Sequence, residues 1–213
     1  MMPHMRPARP SALVLVLVGC GDPKPTATAT ATAPAPIAAP APGPAKAASG
    51  LPGWELPTGW RGEVIPFPLD FAPSLPHRGY EDLRFPAGFF DPASGEYWSY
   101  TFVWRTDDAA TLDAAALGGE LTTYFRGLIA AVDEKGKITA RDRIVARATA
   151  AGDQHFELSA HVFDAFKTAQ PIDLVGWADR RACKTGALWR FVLAPATTTI
   201  RAELDRVANA AGC

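Results

Sequence analysis

The sequence predicts an α+β domain in which a mainly antiparallel sheet of about six to seven strands has two helices packed on one face. Several short segments alternate apolar and polar residues, as strands with one buried face do. Two longer segments instead repeat their apolar residues every three to four positions, which is typical of amphipathic helices. Short turns join most of the alternating segments, and this favours antiparallel neighbours. Residues 51–213 carry all of these patterns and have the length of a single domain.

The first three strands precede the first helix. Prolines interrupt the region around Glu63–Phe67, so a strand there is short or lies at an edge of the sheet. Tyr80–Phe85 is the second extended segment. The turn residues of Asp91–Glu96 predict a hairpin that joins it to Tyr97–Arg105.

The third strand is unusually rich in aromatic residues. Alternation places four of them on one face, namely Trp98, Tyr100, Phe102 and Trp104. Aromatic side chains bury large areas, so this face is expected to belong to the core. A wall on which a ligand stacks is the alternative.

Two helices and four strands complete the domain. Asp113–Val132 carries a stripe of apolar residues at helical spacing, and Ile200–Ala211 carries a second one. Between them, a meander of four strands is expected at 143–149, 155–162, 172–181 and 187–193.

The amino-terminal region has the features of an export signal. Arg6 and Arg9 precede an apolar run, Ala12–Val18, that is far shorter than the roughly 20 residues of a membrane-spanning helix. The next residues, with the sequence Leu17-Val18-Gly19-Cys20, resemble the lipobox of bacterial lipoproteins. An ordinary cleaved signal with a coincidental cysteine is the alternative.

The resemblance implies three segments and a location. Residues 1–19 would be a signal peptide, and Cys20 would become the acylated first residue, with fatty chains such as palmitate. Residues 20–50 would be a disordered linker, because alanine, proline and threonine offer little to bury. Residues 51–213 would then be a globular domain held at the cell envelope by its lipid, facing the periplasm or the exterior. The stretch RFPAGFFDPASGEYWSYTFVW also resembles segments of uncharacterised bacterial proteins, and this implies no activity.

Two cysteines remain once Cys20 is acylated. In an oxidising compartment Cys183 and Cys213 are expected to form a disulfide. A free thiol or an intermolecular bridge is the alternative. No C-x-x-C pattern is present in the sequence, which argues against a redox centre or a thiolate zinc site.

A loop rich in proline and charge contains the candidate binding residues. His77 and Arg78 could meet an anionic group, with Glu81 or Asp82 to orient them. The alternative is a structural loop whose charges pair with one another. The aromatic residues Trp98, Tyr100 and Trp104 are the other candidate binding residues.

Neither a metal nor a cofactor is expected. His155, Glu157 and His161 point the same way on one strand, but Glu157 and His161 are about 13 Å apart along it, too far to share one ion. The residues around Ser94 lack the G-x-S-x-G elbow of serine hydrolases. The net charge of −1 and the absence of a basic stripe argue against nucleic acid as a partner.

Two functions therefore fit the sequence, and an enzyme is less favoured than either. The first is a non-catalytic module of the cell envelope that binds a partner protein or an envelope component. The second is a carrier of a small apolar ligand or lipid, with the aromatic strand as a cavity wall.

Overall fold

The computed structural model describes residues 50–213. The predicted signal peptide, the acylated Cys20 and nearly all of the linker lie outside these residues. Seven strands and two α-helices make up the domain: β1 Arg61–Pro66, β2 Gly79–Phe85, β3 Tyr100–Thr106, α1 Ala114–Val132, β4 Val145–Gly152, β5 His155–Phe163, β6 Pro171–Ala182, β7 Ala187–Pro195 and α2 Arg201–Ala210.

The strands form one antiparallel sheet in the order β1-β2-β3-β7-β6-β5-β4. The predicted α+β class, the mainly antiparallel sheet of about seven strands and the four-strand meander are confirmed. β2 and β3 pair antiparallel as predicted, but the loop 86–99 rather than a short turn at Asp91–Glu96 joins them. Two meanders meet where β3 pairs with β7, at the middle of the sheet. The chain between β3 and β4 contains α1 and joins the middle of the sheet to its far edge.

The first face of the sheet carries the aromatic residues and is covered by α1. Asp113 caps the start of this helix, and its side chain accepts a hydrogen bond from the amide of Ala116 at 2.8 Å. Tyr124 of α1 stacks on Phe102, which in turn stacks on Phe191 of β7 with the ring centroids 4.4 Å apart. These contacts belong to a large core that accounts for most of the buried aromatic side chains.

The second face is covered by α2, so the prediction that both helices lie on one face is wrong. Leu204, Val207 and Ala208 of α2 pack on β3 and β7, on the side opposite α1. The physical reason lies in β7, whose residues from Ala187 to Ala194 are all buried. A strand that is buried on both faces needs a cover on each.

Two links fasten the ends of the domain to the second face. Asp82 and Arg84 form a buried ion pair; Asp82 also accepts from the Leu51 amide at 2.8 Å, and Arg84 donates to the Trp54 carbonyl at 2.9 Å. Cys183 and Cys213 are joined by a disulfide, which ties the residue after β6 to the end of the chain. Among residues 50–213, no helix has the length and apolar character required to span a bilayer.

Candidate ligand pocket

An apolar pocket of about 260 Å³ opens at the β1 end of the first face. Strands β1 to β3 form its floor, the carboxyl half of α1 forms one side, and the loops between β1 and β2, β2 and β3, and β5 and β6 close it. Its lining is almost entirely apolar, and it consists of Glu63, Ile65, Phe71, Leu83, Phe85, Phe89, Phe90, Trp98, Tyr100, Tyr124, Leu128, Ala131, Val132 and Phe166. The pocket therefore suits an apolar molecule rather than a charged one.

The loop between β2 and β3 supplies three aromatic rings to the pocket. Trp98 adopts a left-handed backbone conformation with φ of +52°, so the strand begins at Tyr100 rather than at Tyr97 as the sequence predicted. Its indole still enters the core and lies 5.9 Å from the ring of Phe89. Phe90 contacts Phe89 edge to face at 4.7 Å.

Asp164 holds the loop that brings Phe166 to the pocket. This buried carboxylate accepts hydrogen bonds from the amides of Phe166 at 3.0 Å and Lys167 at 3.1 Å, and from the Trp98 indole at 3.1 Å. Burial opposes the ionisation of Asp164, but the hydrogen bonds from Tyr97, Thr168 and Trp98 outweigh burial and lower its pKa. One charged side chain thus fixes both Trp98 and Phe166, whose rings are 5.3 Å apart.

A buried polar cluster lies next to the pocket floor. Glu81 faces α1 from β2; its neighbours Leu83, two residues along the strand, and Ile65, opposite it on β1, both line the pocket. Its Oε1 accepts from the Trp104 indole at 3.1 Å, whereas its Oε2 and the Tyr100 hydroxyl have no hydrogen-bond partner among residues 50–213. The carboxyl is completely shielded from solvent.

This burial changes the ionisation of the cluster. Desolvation raises the pKa of Glu81 to about 8, because polar contacts with Trp104 and Tyr124 favour its ionised form less strongly than burial opposes it. The nearby carboxylates of Glu63 and Asp82 push the pKa in the same direction as burial. Burial also raises the pKa of the Tyr100 and Tyr124 hydroxyls well above their usual value. Near neutral pH the buried cluster of Glu81, Tyr100 and Tyr124 is therefore mainly uncharged.

The structure separates the predicted binding residues of the proline-rich loop. His77 is buried, contacts Trp104 with ring centroids 5.4 Å apart, and hydrogen-bonds Glu120 of α1 through Nε2 at 2.7 Å. Arg78 is exposed. His77 thus attaches the loop to α1, and the two residues do not form one surface with Glu81.

The aromatic strand divides between core and pocket. Trp98 and Tyr100 line the pocket, whereas Phe102 and Trp104 pack against Tyr124 and do not line it. All four rings are buried in the core, as the first interpretation predicted, and a role of Trp98 and Tyr100 in stacking on a ligand stays a prediction.

A polar depression of about 190 Å³ adjoins the pocket, and Val132 and Phe166 line both. Three exposed lysines surround it, Lys135 and Lys137 after α1 and Lys167 beside Phe166. Within residues 50–213, their ammonium groups take part in none of the ion pairs found.

The second face of the outer strands has the polar character that the sequence predicted. Glu157 is exposed, His155 lies 5.9 Å from the ring of Trp177, and His161 pairs with Asp173 at 2.7 Å. The described part of the chain contains no group of three or more residues suited to hold a metal ion.

Sequence reasoning missed the loop that begins at Asp164. The sequence DAFKT, residues 164–168, indicates this loop. An aspartate side chain often accepts hydrogen bonds from the backbone amides of the residues that follow it, and the threonine four residues later offers a further donor. No local pattern, however, shows that Phe166 would reach Trp98. No family model, no curated protein and no solved structure matches this chain.

Proposed function

We propose that this protein is an exported, lipid-anchored, non-catalytic binding protein of the cell envelope, and that it holds a small apolar ligand in the aromatic pocket. The pocket is the observation that carries the proposal. Its walls come from β1 to β3, from α1 and from three loops, and they are nearly all apolar. Most ligand sites share this design of apolar walls with few polar groups. Export and anchoring are supported by the lipobox at Leu17–Cys20.

The size of the pocket limits the ligand. At about 30 Å³ for a group of the size of water or methylene, 260 Å³ holds roughly eight to nine such groups. A two-ring aromatic compound or a chain of about eight carbons therefore fits, whereas a diacyl lipid does not.

An interaction through the protein surface has less support. In the described part of the chain, the exposed large apolar side chains are Leu56 and Val175, and neither lies beside His77. A surface that binds a partner protein usually presents a contiguous apolar patch.

A catalytic role has less support as well. Glu81 is the acid with the strongly raised pKa, and such groups often mark active sites. Its carboxyl is sealed from solvent, however, so a molecule in the pocket does not meet it.

The test uses the mature chain, residues 20–213, with Cys20→Ser so that no acyl group attaches. The neutral two-ring fluorescent probe 1-naphthylamine, which is within the size limit of the pocket, is titrated against this protein, and we expect a saturable change in its emission. Ala131→Trp places an indole at the pocket. The indole should occupy apolar surface that the probe otherwise contacts, so we expect the affinity for the probe to fall at least about tenfold.

Ala130→Trp is the matched control. Ala130 is also exposed on α1, is the neighbouring residue and does not line the pocket, so its variant should bind the probe as the unaltered protein does. Equal binding by both variants, or emission that never saturates, would contradict the proposal.

A further inference from the structure

We infer that the ligand is a small anionic amphiphile, whose apolar body lies in the aromatic pocket and whose acidic head lies on the depression around Lys135, Lys137 and Lys167. This inference rests on the proposed function, because it assigns the ligand class of the same site. The two cavities are neighbours, since Val132 and Phe166 line both, and the inference requires one molecule to extend past these two side chains.

The charges around the depression favour an anion. Two acidic residues lie there with the three lysines, Asp133 and Glu134. Asp133 is already engaged, since it accepts from the amides of Lys137 and Ile138 at 2.9 Å and pairs with Arg141 at 3.0 Å. Only Glu134 then opposes the three ammonium groups, which leaves a local excess of positive charge.

The end of α1 reduces this excess but does not remove it. The helix ends at Val132, and its terminal carbonyls contribute about half a negative charge. The positive charge of the three lysines still exceeds the negative charge of Glu134 and of the helix end together, so the depression attracts an acid.

The opposite side of the pocket fixes the orientation of the ligand. Glu63 is exposed and lines the pocket from the edge strand β1. Its carboxylate repels an acidic head, so the head is directed toward the lysines. An amine with the same apolar tail should place its head beside Glu63 instead. Comparing the acid with this amine therefore tests the charge preference of the site.

The experiment compares three molecules with one tail: octanoate, 1-octanol and octylammonium. Each displaces 1-naphthylamine from the mature Cys20→Ser chain at low ionic strength. We expect octanoate to bind about fivefold more tightly than octanol, which is the effect of a favourable exposed ion pair. Octylammonium should bind more weakly than octanoate, because one carboxylate, that of Glu63, attracts it whereas three ammonium groups attract octanoate, and added salt should reduce the differences.

Two triple variants locate the head. In Lys135→Gln/Lys137→Gln/Lys167→Gln the affinity for octanoate should fall to that for octanol, while the affinity for octanol stays unchanged. The charge-matched control is Arg147→Gln/Arg181→Gln/Lys184→Gln, which removes three exposed cations that line neither cavity. It should leave the preference for octanoate intact.

The possible failures are distinguishable. Equal affinities for the three molecules, or a tighter octylammonium complex, would overturn the inference and leave the pocket as the binding site. Octanoate binding that Ala131→Trp does not weaken would show adventitious pairing with the lysines only, and this also overturns the inference. If neither the probe nor any of the three molecules binds, the proposed function itself fails.

Discussion

Glu81 is ionisable and completely buried, and within residues 50–213 it takes part in none of the ion pairs found. The groups that influence it are the carboxylate of Glu63, the hydroxyls of Tyr100 and Tyr124, the Trp104 indole and, from the other face of β2, the carboxylate of Asp82. None of these compensates a buried negative charge as a lysine or an arginine would. The protein therefore carries this residue as a neutral acid near neutral pH.

We expect the stability of the fold to decline in alkaline solution because of Glu81. Its pKa is about 8 in the folded protein and near 4.5 in the unfolded chain, so the folded state keeps a proton that the unfolded chain releases between these values. The free energy of unfolding is therefore unaffected by Glu81 below about pH 4.5, falls as the pH rises toward 8, and levels off above it. Glu81→Gln cannot ionise, and urea unfolding should show it to be more stable than the unaltered protein above pH 8, by a few kcal/mol.

Glu157→Gln is the control for this effect, because Glu157 is exposed on β5. Its stability should follow that of the unaltered protein over the whole pH range. A Glu81→Gln variant with the same alkaline decline as the unaltered protein would mean that the carboxyl is not the source of the effect.

Two glycines of helix α1, Gly119 and Gly127, have different surroundings. Gly127 sits where a Cβ atom would come within 1.9 Å of the Phe71 carbonyl oxygen, on a loop whose residue Phe71 also lines the pocket. Gly119, on the same helix, has nothing within 4 Å of the position of a Cβ. The two glycines thus have different reasons to be present.

We expect the same substitution at these two positions to have opposite effects. Gly119→Ala should stabilise the domain by about 0.5–1 kcal/mol, because alanine restricts the unfolded chain and favours the helix. Gly127→Ala should destabilise it by about 1–3 kcal/mol, because α1 or the loop must move. Chemical denaturation of both variants measures the difference. If both were stabilised alike, helix propensity alone would decide the result, and the close approach of α1 to Phe71 would be refuted.

The patterns within single segments predicted the elements well and their partners less well. Apolar residues at a period of two or 3.6 located most of the strands and both helices, because most elements bury one face or one stripe. The stripe on α2 shows that one side of the helix is buried, but it does not tell which face of the sheet covers it. The nearly continuous apolar run ALWRFVLA of β7, broken by Arg190 alone, was the clue, since a strand covered on both sides lacks a regular alternation of polar residues.

The pocket lay beyond such patterns for a related reason. Its aromatic residues Trp98 and Tyr100 could be selected from the sequence, and they do line it. Phe166 and Asp164 could not, because their contacts join segments 66 residues apart along the chain. A local pattern contains no information about such a pairing, which depends on how the two loops meet after the sheet has formed.

Two covalent features act on the whole chain, the disulfide and the proposed lipid anchor. The disulfide closes a loop of 30 residues that contains β7 and α2, between Cys183 and Cys213. Constraining the unfolded chain in this way contributes roughly 3–4 kcal/mol. This gain requires an oxidising compartment, which an exported chain reaches and a cytosolic chain does not. The disulfide and the proposed lipid anchor therefore depend on the same event, export.

Counting the thiols of the native protein tests both links at once. The chain has three cysteines, and we expect none to react with a maleimide when the protein from its own cell envelope is denatured without reductant. Cys20 would be blocked as a thioether, which reductants do not cleave, and Cys183 would be paired with Cys213. After reduction, two thiols should react. A signal that is cleaved without acylation would give one thiol before reduction and three after it, whereas an acylated chain without the disulfide would give two in both cases. Since each failure has its own count, mass analysis of the labelled chain separates an error in the anchor from an error in the pairing.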